Sequence, residues 1–262
     1  RSAAGLAVRF SFDQAGAGGL SALAYERRVH DEGRVLCRRQ GDGVDHDRWN
    51  AAVWLTWPRT KAALNRLHAR DEGASPRSGE AGFVPGRRSR VRDFATLLDE
   101  SGLAWVSSEP ACDALLAGRR WRALFVEARA DLSAGVLPVV IGHGLIGKLA
   151  RPYKGLTAQA LVVPIASGQV RSLKRAPAEG FDAVIDGAFG ELTGELTVEL
   201  TGEVTGEAID EAIARRLTEV AGRLDPRGAD RAGLASPGHE PAGRFSGSPC
   251  LPLPLLALPG WC

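Results

Sequence analysis

Residues 45–68 read DHDRWNAAVWLTWPRTKAALNRLH and set an imidazole and a carboxamide among tryptophans and valines. At about 100° per residue along a helix, His46, Asn50, Val53 and Trp57 share one arc, while Asp47 and Arg48 point away from it. Polar groups buried in such an apolar stripe must find hydrogen-bond partners. They either lock a core or line a site walled by aromatic rings. On the following helical stretch, Lys61, Asn65 and His68 gather away from Ala63, Leu64 and Leu67. A solvated face and a binding face explain that grouping equally well.

Residues 86–102, GRRSRVRDFATLLDESG, bracket an apolar FATLL between Arg92–Asp93 and Asp99–Glu100. Adjacent carboxylates can do acid–base work or hold a divalent cation, and they can also simply end an element before Gly102. In residues 136–163, VLPVVIGHGLIGKLARPYKGLTAQALVV, an apolar run enters Gly142-His143-Gly144 and then a helix with Leu145, Ile146 and Leu149 on one side. Ligand sites of open α/β sheets lie at the carboxyl ends of strands, beside helix N-termini that attract anions. His143 occupies such a place. The turn Pro152-Tyr153-Lys154-Gly155 adds a phenol and a cation, and Thr157 adds a hydroxyl.

These stretches supply His46, His143 and Asp99 as acid–base candidates. Asn50, Lys61, Arg92, Lys148, Tyr153, Lys154 and Thr157 are the candidates for orienting a small anionic molecule. The cofactor is left open. GHG is not a dinucleotide fingerprint, and no GxxxxGK[ST], HExxH or GxSxG is present. Cys37, Cys112, Cys250 and Cys262 form no CxxC pair, and no histidine stands at zinc-ligand spacing, so no metal-ligand set is assigned.

The elements that must position these residues read as follows. Asp45–Trp57 and Pro58–Arg70 are consecutive helices, with Pro58 suited to a first turn where its missing N–H is not needed. Leu103–Val106, Val136–Ile141 and Ala158–Ile165 are strands, and Cys112–Leu116, Trp121–Leu132 and His143–Arg151 are helical. Strand, helix, strand favours a mixed α/β or α+β domain, with a small sheet flanked by helices and a poorly ordered C-terminal segment. Residues 1–190 form the main domain on this reading. Residues 191–224 carry a tetrad repeat (ELTG, ELTV, ELTG, EVTG) running into a helix from Glu207 to Val220. Residues 225–249, rich in Pro, Gly and Ser, are expected to be disordered, and the apolar tail 250–262 to dock on the main domain.

Composition limits the function. The 262 residues carry 33 Lys+Arg against 31 Asp+Glu, a net charge of +2, which argues against a strongly basic nucleic-acid binder. The arginine excess over only four lysines fits the coding bias of a GC-rich genome. No run of 18 apolar residues exists, so no membrane span is expected, and no signal peptide is visible. Widely spaced cysteines fit reduced thiols in a cytosol. A soluble, cytoplasmic protein with no nucleic-acid partner is the expectation.

Taken together, HD..NA.VW,.PR.KA.LN, RD..TL.DE.G, W..LF...R, GH.L..KL..PYK..TA and a terminal PLP.L..PGW resemble the bacterial family catalogued as domain of unknown function 3025. The resemblance spans residues 10–165 and 250–262. The chain departs from that family's usual pattern at Gln159, where a histidine is typical, and at Gly147, where a glutamate is typical. The resemblance implies a single fold and brings no reaction with it. Two functions are therefore expected: an enzyme acting on a small anionic metabolite by histidine acid–base chemistry, or a non-catalytic structural or interaction module whose polar motifs knit the core. A cleft where the three motifs converge would favour the first, and dispersed, mutually satisfied polar groups the second.

Overall fold

The computed structural model describes residues 7–13, 21–38, 43–69, 89–167, 169–170, 195–197, 204–224 and 249–255. Strand β1 (Arg9–Asp13), helix α1 (Ala22–Glu32) and strand β2 (Arg34–Arg38) form a β-α-β unit with the two strands parallel. Ser21 starts α1 by accepting from the Ala24 N–H, and Gly33, at φ 66°, ends it in the left-handed region that glycine occupies without penalty. Strand β6 (Glu195–Thr197) pairs antiparallel with the other edge of β1. The last strand to be placed, β7 (Leu251–Pro254), belongs to a second sheet.

That second sheet has the order β4-β3-β5-β7, with β3 (Gly102–Ser107) flanked by antiparallel β4 (Val136–Val140) and parallel β5 (Thr157–Pro164). β3 is buried on both faces, as its unbroken apolar sequence requires. Ala104 and Val106 join one core cluster, while Leu103 and Trp105 join the other. The prolines of β7 are accommodated because it is an edge strand, where a missing N–H disturbs no second ladder. So two small sheets, not one, carry this mixed fold. The first was illegible because the opening 44 residues offer only short apolar pieces between glycine-rich turns.

Helices α2 (Val44–Thr56) and α3 (Pro58–Ala69) meet at Trp57, with Pro58 opening α3 as expected. Helix α4 (Arg90–Ser101) is capped by Ser89 and runs directly into β3. Helix α5 (Pro110–Ala117) follows. The single helix expected over Trp121–Leu132 is broken instead. Ala123–Glu127 is a π-helical turn closed by Ala128 N–H to the Ala123 carbonyl, and α6 (Arg129–Gly135) resumes beyond it. Helix α7 (His143–Leu149) leaves the end of β4, and α8 (Val204–Leu224) starts three residues before the expected Glu207.

Helix α8 is part of the core. Ile209, Ile213, Leu217 and Val220 pack with Leu64 of α3, Leu98 of α4 and Leu161 of β5. Its Asp210 accepts from the Arg59 and Thr60 N–H groups at 2.7 Å each, satisfying donors that the first turn of α3 leaves open. Cys37 and Cys112 are buried free thiols, and Cys250 is buried as well. The Pro/Gly/Ser stretch expected to be disordered, Cys262, and Trp261 of the apolar tail lie outside the described residues, apart from 249–255. No helix among the described residues is long and apolar enough to cross a membrane.

Candidate functional site

Topology brings the three motifs together. Because β3 and β4 are antiparallel, with Leu103 opposite Val140, the residues just before β3 lie beside those just after β4. The first group is Asp99–Glu100 at the end of α4, and the second is His143 at the start of α7. Close approach needs glycine on either side of His143. A Cβ on Gly142 would stand 2.3 Å from the Gly102 nitrogen, and one on Gly144 would stand 2.4 Å from Glu100 Oε2. Helix α2 packs along α7, with the Trp49 ring where a Cβ on Gly147 would touch it at 3.3 Å. His46 arrives at the cluster on that helix.

The two imidazoles meet edge to face, with His143 Nε2 3.0 Å from His46 Nε2. Glu100 Oε1 lies 3.6 Å from both nitrogens. Behind each ring stands a carboxylate: Asp47 Oδ1 is 3.6 Å from His46 Nδ1, and Asp99 Oδ2 is 3.7 Å from His143 Nδ1. Each carboxylate is in turn held by a cation. Arg38 grips Asp47 with two guanidinium hydrogen bonds of 2.7 Å and its backbone N–H at 2.8 Å. Lys61 Nζ lies 2.5 Å from Asp99 Oδ1, deep in the protein. The series Lys61–Asp99–His143–His46–Asp47–Arg38 is thus nearly symmetric about the point between the two Nε2 atoms.

Electrostatics follow this geometry. Burial alone would raise both aspartates. The hydrogen bonds from Arg38 override it at Asp47, and the Lys61 charge, with His143 beside it, overrides it at Asp99, so both fall below the usual carboxylate range. Asp47 and then Glu100 hold the His46 pKa up to about 9 against its partial burial. The same pairing lowers Glu100. A histidine raised in this way stabilises the fold fully below its unfolded pKa of about 6.5, and that contribution is lost as pH rises through the folded value. The His46 Cε1–H resonance should therefore titrate near pH 9. A midpoint near the ordinary histidine value would show that the two carboxylates do not act on it.

The candidates sort as follows. His46, His143 and Asp99 meet at one place, together with Glu100. Asn50 does not join them: its Nδ2 donates to the Tyr25 hydroxyl at 3.2 Å. His46 was expected inside the apolar arc, yet its side chain is 47% exposed. It stands in the first turn of α2, and the helix is submerged only from Asn50 onward. Asp47, read as pointing away, is the residue that braces it.

The solvated face considered for α3 does not exist. Lys61, Asn65 and His68 are all buried, because α1, α4 and α8 enclose that helix. Arg92 lies on α4 seven residues before Asp99, about 10 Å of helix rise from the cluster. Lys148, Tyr153, Lys154 and Thr157 are exposed on α7, the turn after it and the start of β5. No hydrogen bond or ion pair joins those four to the histidines.

Among the described residues, His46, Glu100 and His143 are the group whose donor atoms converge closely enough to share a metal ion, all within 4.8 Å. Sequence spacing does not reveal this group because its donor atoms come from three separate segments. A mixed α/β domain with a histidine–histidine–carboxylate cluster at a strand–helix corner is the class that this fold and site define. The chain belongs to the family described as "Protein of unknown function (DUF3025)", whose model matches residues 9–197. No curated protein and no solved structure matches it.

Proposed function

We propose that this protein is an enzyme whose reaction centre is the His46–His143–Glu100 cluster and whose substrate is a small anionic molecule. One observation carries the reading: two imidazoles from segments 97 residues apart aim their Nε2 atoms at one point, beside a carboxylate, with His46 and Glu100 each 47% exposed. A core that needed only internal satisfaction would not bring three titratable groups to a common point at the surface. With their Nε2 atoms 3.0 Å apart, the two rings can pass a proton between them, so the pair can donate a proton to one part of a substrate and remove one from another. The exposed Lys148 and Lys154 on the segment after His143 suit an anion.

The second reading, a non-catalytic module, is favoured at other positions. Asn50 to Tyr25, Asn65 to Glu26 and Lys61 to Asp99 are internal pairs that knit helices together. These residues are read as scaffold beneath the centre. The test is an assay of the purified protein against p-nitrophenyl phosphate and p-nitrophenyl sulfate, with phosphate and acetate also titrated against the two imidazole resonances by NMR. Saturable shifts of both rings, and turnover abolished by His46→Gln and by His143→Gln with the fold retained, are expected. Turnover that survives both substitutions, or rings that ignore every anion, would count against the reading.

A further inference from the structure

We infer that the cluster is built to hold one divalent ion of the zinc type, bound by His46 Nε2, His143 Nε2 and Glu100 Oε1, with an open position toward solvent. This rests on the same cluster that carries the proposed enzyme, and it names the cofactor.

The geometry points there. The three donor atoms form a triangle with sides of 3.0, 3.6 and 3.6 Å. The centre of the circle through them is about 2.0 Å from every corner, so an ion lying slightly off that plane reaches all three at ordinary zinc–nitrogen and zinc–oxygen bond lengths. A tetrahedral ion with bonds of about 2.1 Å spaces its donors about 3.4 Å apart, whereas an octahedral ion with the same bonds spaces them about 3.0 Å apart. The three sides average about 3.4 Å, the tetrahedral value. Two imidazoles also favour zinc and its neighbours over magnesium or calcium, which take oxygen ligands.

The surroundings agree. His143 Nδ1 is buried with no hydrogen-bond partner, 3.7 Å from Asp99 Oδ2. An ion on Nε2 would fix the ring proton on Nδ1, facing that carboxylate, and would do the same at His46 facing Asp47. Carboxylates behind metal-bound histidines orient the rings and raise their basicity. Both aspartates already have their own cations, Lys61 and Arg38, so Glu100 supplies the only anionic charge directly on the ion. A doubly charged ion there keeps a net positive charge, which suits an anionic substrate or a metal-bound hydroxide. The ion would take the place of the proton between the two Nε2 atoms, and the histidines would then serve as its ligands while it supplied a Lewis acid at the open position.

The experiment uses the full chain, stripped with a chelator, dialysed, and titrated with Zn²⁺ by calorimetry and with Co²⁺ by visible absorption. One ion per chain and an intense Co²⁺ spectrum of low coordination number are expected. His46→Gln, His143→Gln and Glu100→Gln should each abolish stoichiometric binding, while Asp99→Asn should weaken it about 10- to 100-fold. Far-UV circular dichroism reports whether each variant is folded, and His46→Gln, at a half-exposed position, keeps the test valid if buried variants fail to fold. Absence of stoichiometric binding, or binding unchanged in His46→Gln, overturns the inference. Turnover by a chelated protein that then takes up no Zn²⁺ overturns it while leaving the enzyme reading intact. A tightly bound ion with no turnover and no anion response has the opposite outcome, supporting the metal site and sinking the enzyme reading.

Discussion

Replacing Lys61 by methionine should destabilise the protein by about 3–5 kcal/mol, the usual cost of removing one partner from a buried ion pair. The Lys61 side chain is 5% exposed and that of Asp99 12%, and their charged atoms are in direct contact. Lys61 Nζ also lies 5.8 Å from the centre of the Trp54 ring, so apolar surface closes over it. Methionine keeps the stem and its packing but leaves the Asp99 carboxylate without its cation. For a chain of this size the loss corresponds to a melting midpoint lower by roughly 10 °C. The pH dependence has a definite sign. Asp99 is depressed in the wild type, so the pair's contribution is present above the unfolded carboxylate pKa of about 3.9 and is lost as pH falls through the lower folded value. In the variant, burial acts on Asp99 with one opposing charge fewer, its pKa rises, and acid neutralises it. The gap between variant and wild type should therefore narrow as pH falls. The double variant Lys61→Met/Asp99→Leu should lose less than the two single losses added, because no lone charge remains. A Lys61→Met loss below about 1 kcal/mol would place this pair among solvent-screened surface bridges.

Lys61 also shows where the sequence stops informing. The α2–α3 boundary was legible because Pro58 cannot continue a preceding helix yet suits the start of a new one. Strands β3, β4 and β5 were legible because their apolar runs are short and bounded by glycine or polar residues. A helical wheel places Lys61, Asn65 and His68 on one face, but it cannot tell that α1, α4 and α8, whose sequences begin 22, 90 and 204 residues along, close over α3. The same limit applies at the site. His143 was recognisable from its strand–helix corner and Asp99–Glu100 from their pairing. That these residues meet follows from the antiparallel register of β3 and β4, and the wheel turned Asp47 away because only β2 reveals Arg38 as its partner. The two sides of the cluster are written in separate stretches, and long-range pairing alone joins them.

Gly142→Ala should be strongly damaging although it adds a single methyl group beside the site. Gly142 precedes His143 at φ −86°, a backbone conformation open to any residue, so local strain is not the issue. Space is. The new Cβ would lie 2.3 Å from the Gly102 nitrogen, 2.8 Å from the Ser101 nitrogen and 2.9 Å from the Glu100 carbonyl carbon, all backbone atoms. None can swing aside as a side-chain tip would, so the end of α4 and the start of α7 must separate. The Gly142 and Ile141 N–H groups both donate to the Gly102 carbonyl, at 2.9 and 3.1 Å, and would be stretched by that movement. A loss at or above the upper end of the 1–3 kcal/mol typical of overpacking is expected, about 3 kcal/mol. The same movement takes His143 away from Glu100, so affinity for Zn²⁺ should fall together with stability. Gly206→Ala supplies the contrast: Gly206 is exposed in α8, a Cβ there meets nothing within 4 Å, and alanine should stabilise the helix by up to about 1 kcal/mol. Chemical denaturation of the two variants beside the wild type decides the matter. If Gly142→Ala melts with the wild type and binds the ion as tightly, the close crossing of α4 and α7 does not position the cluster.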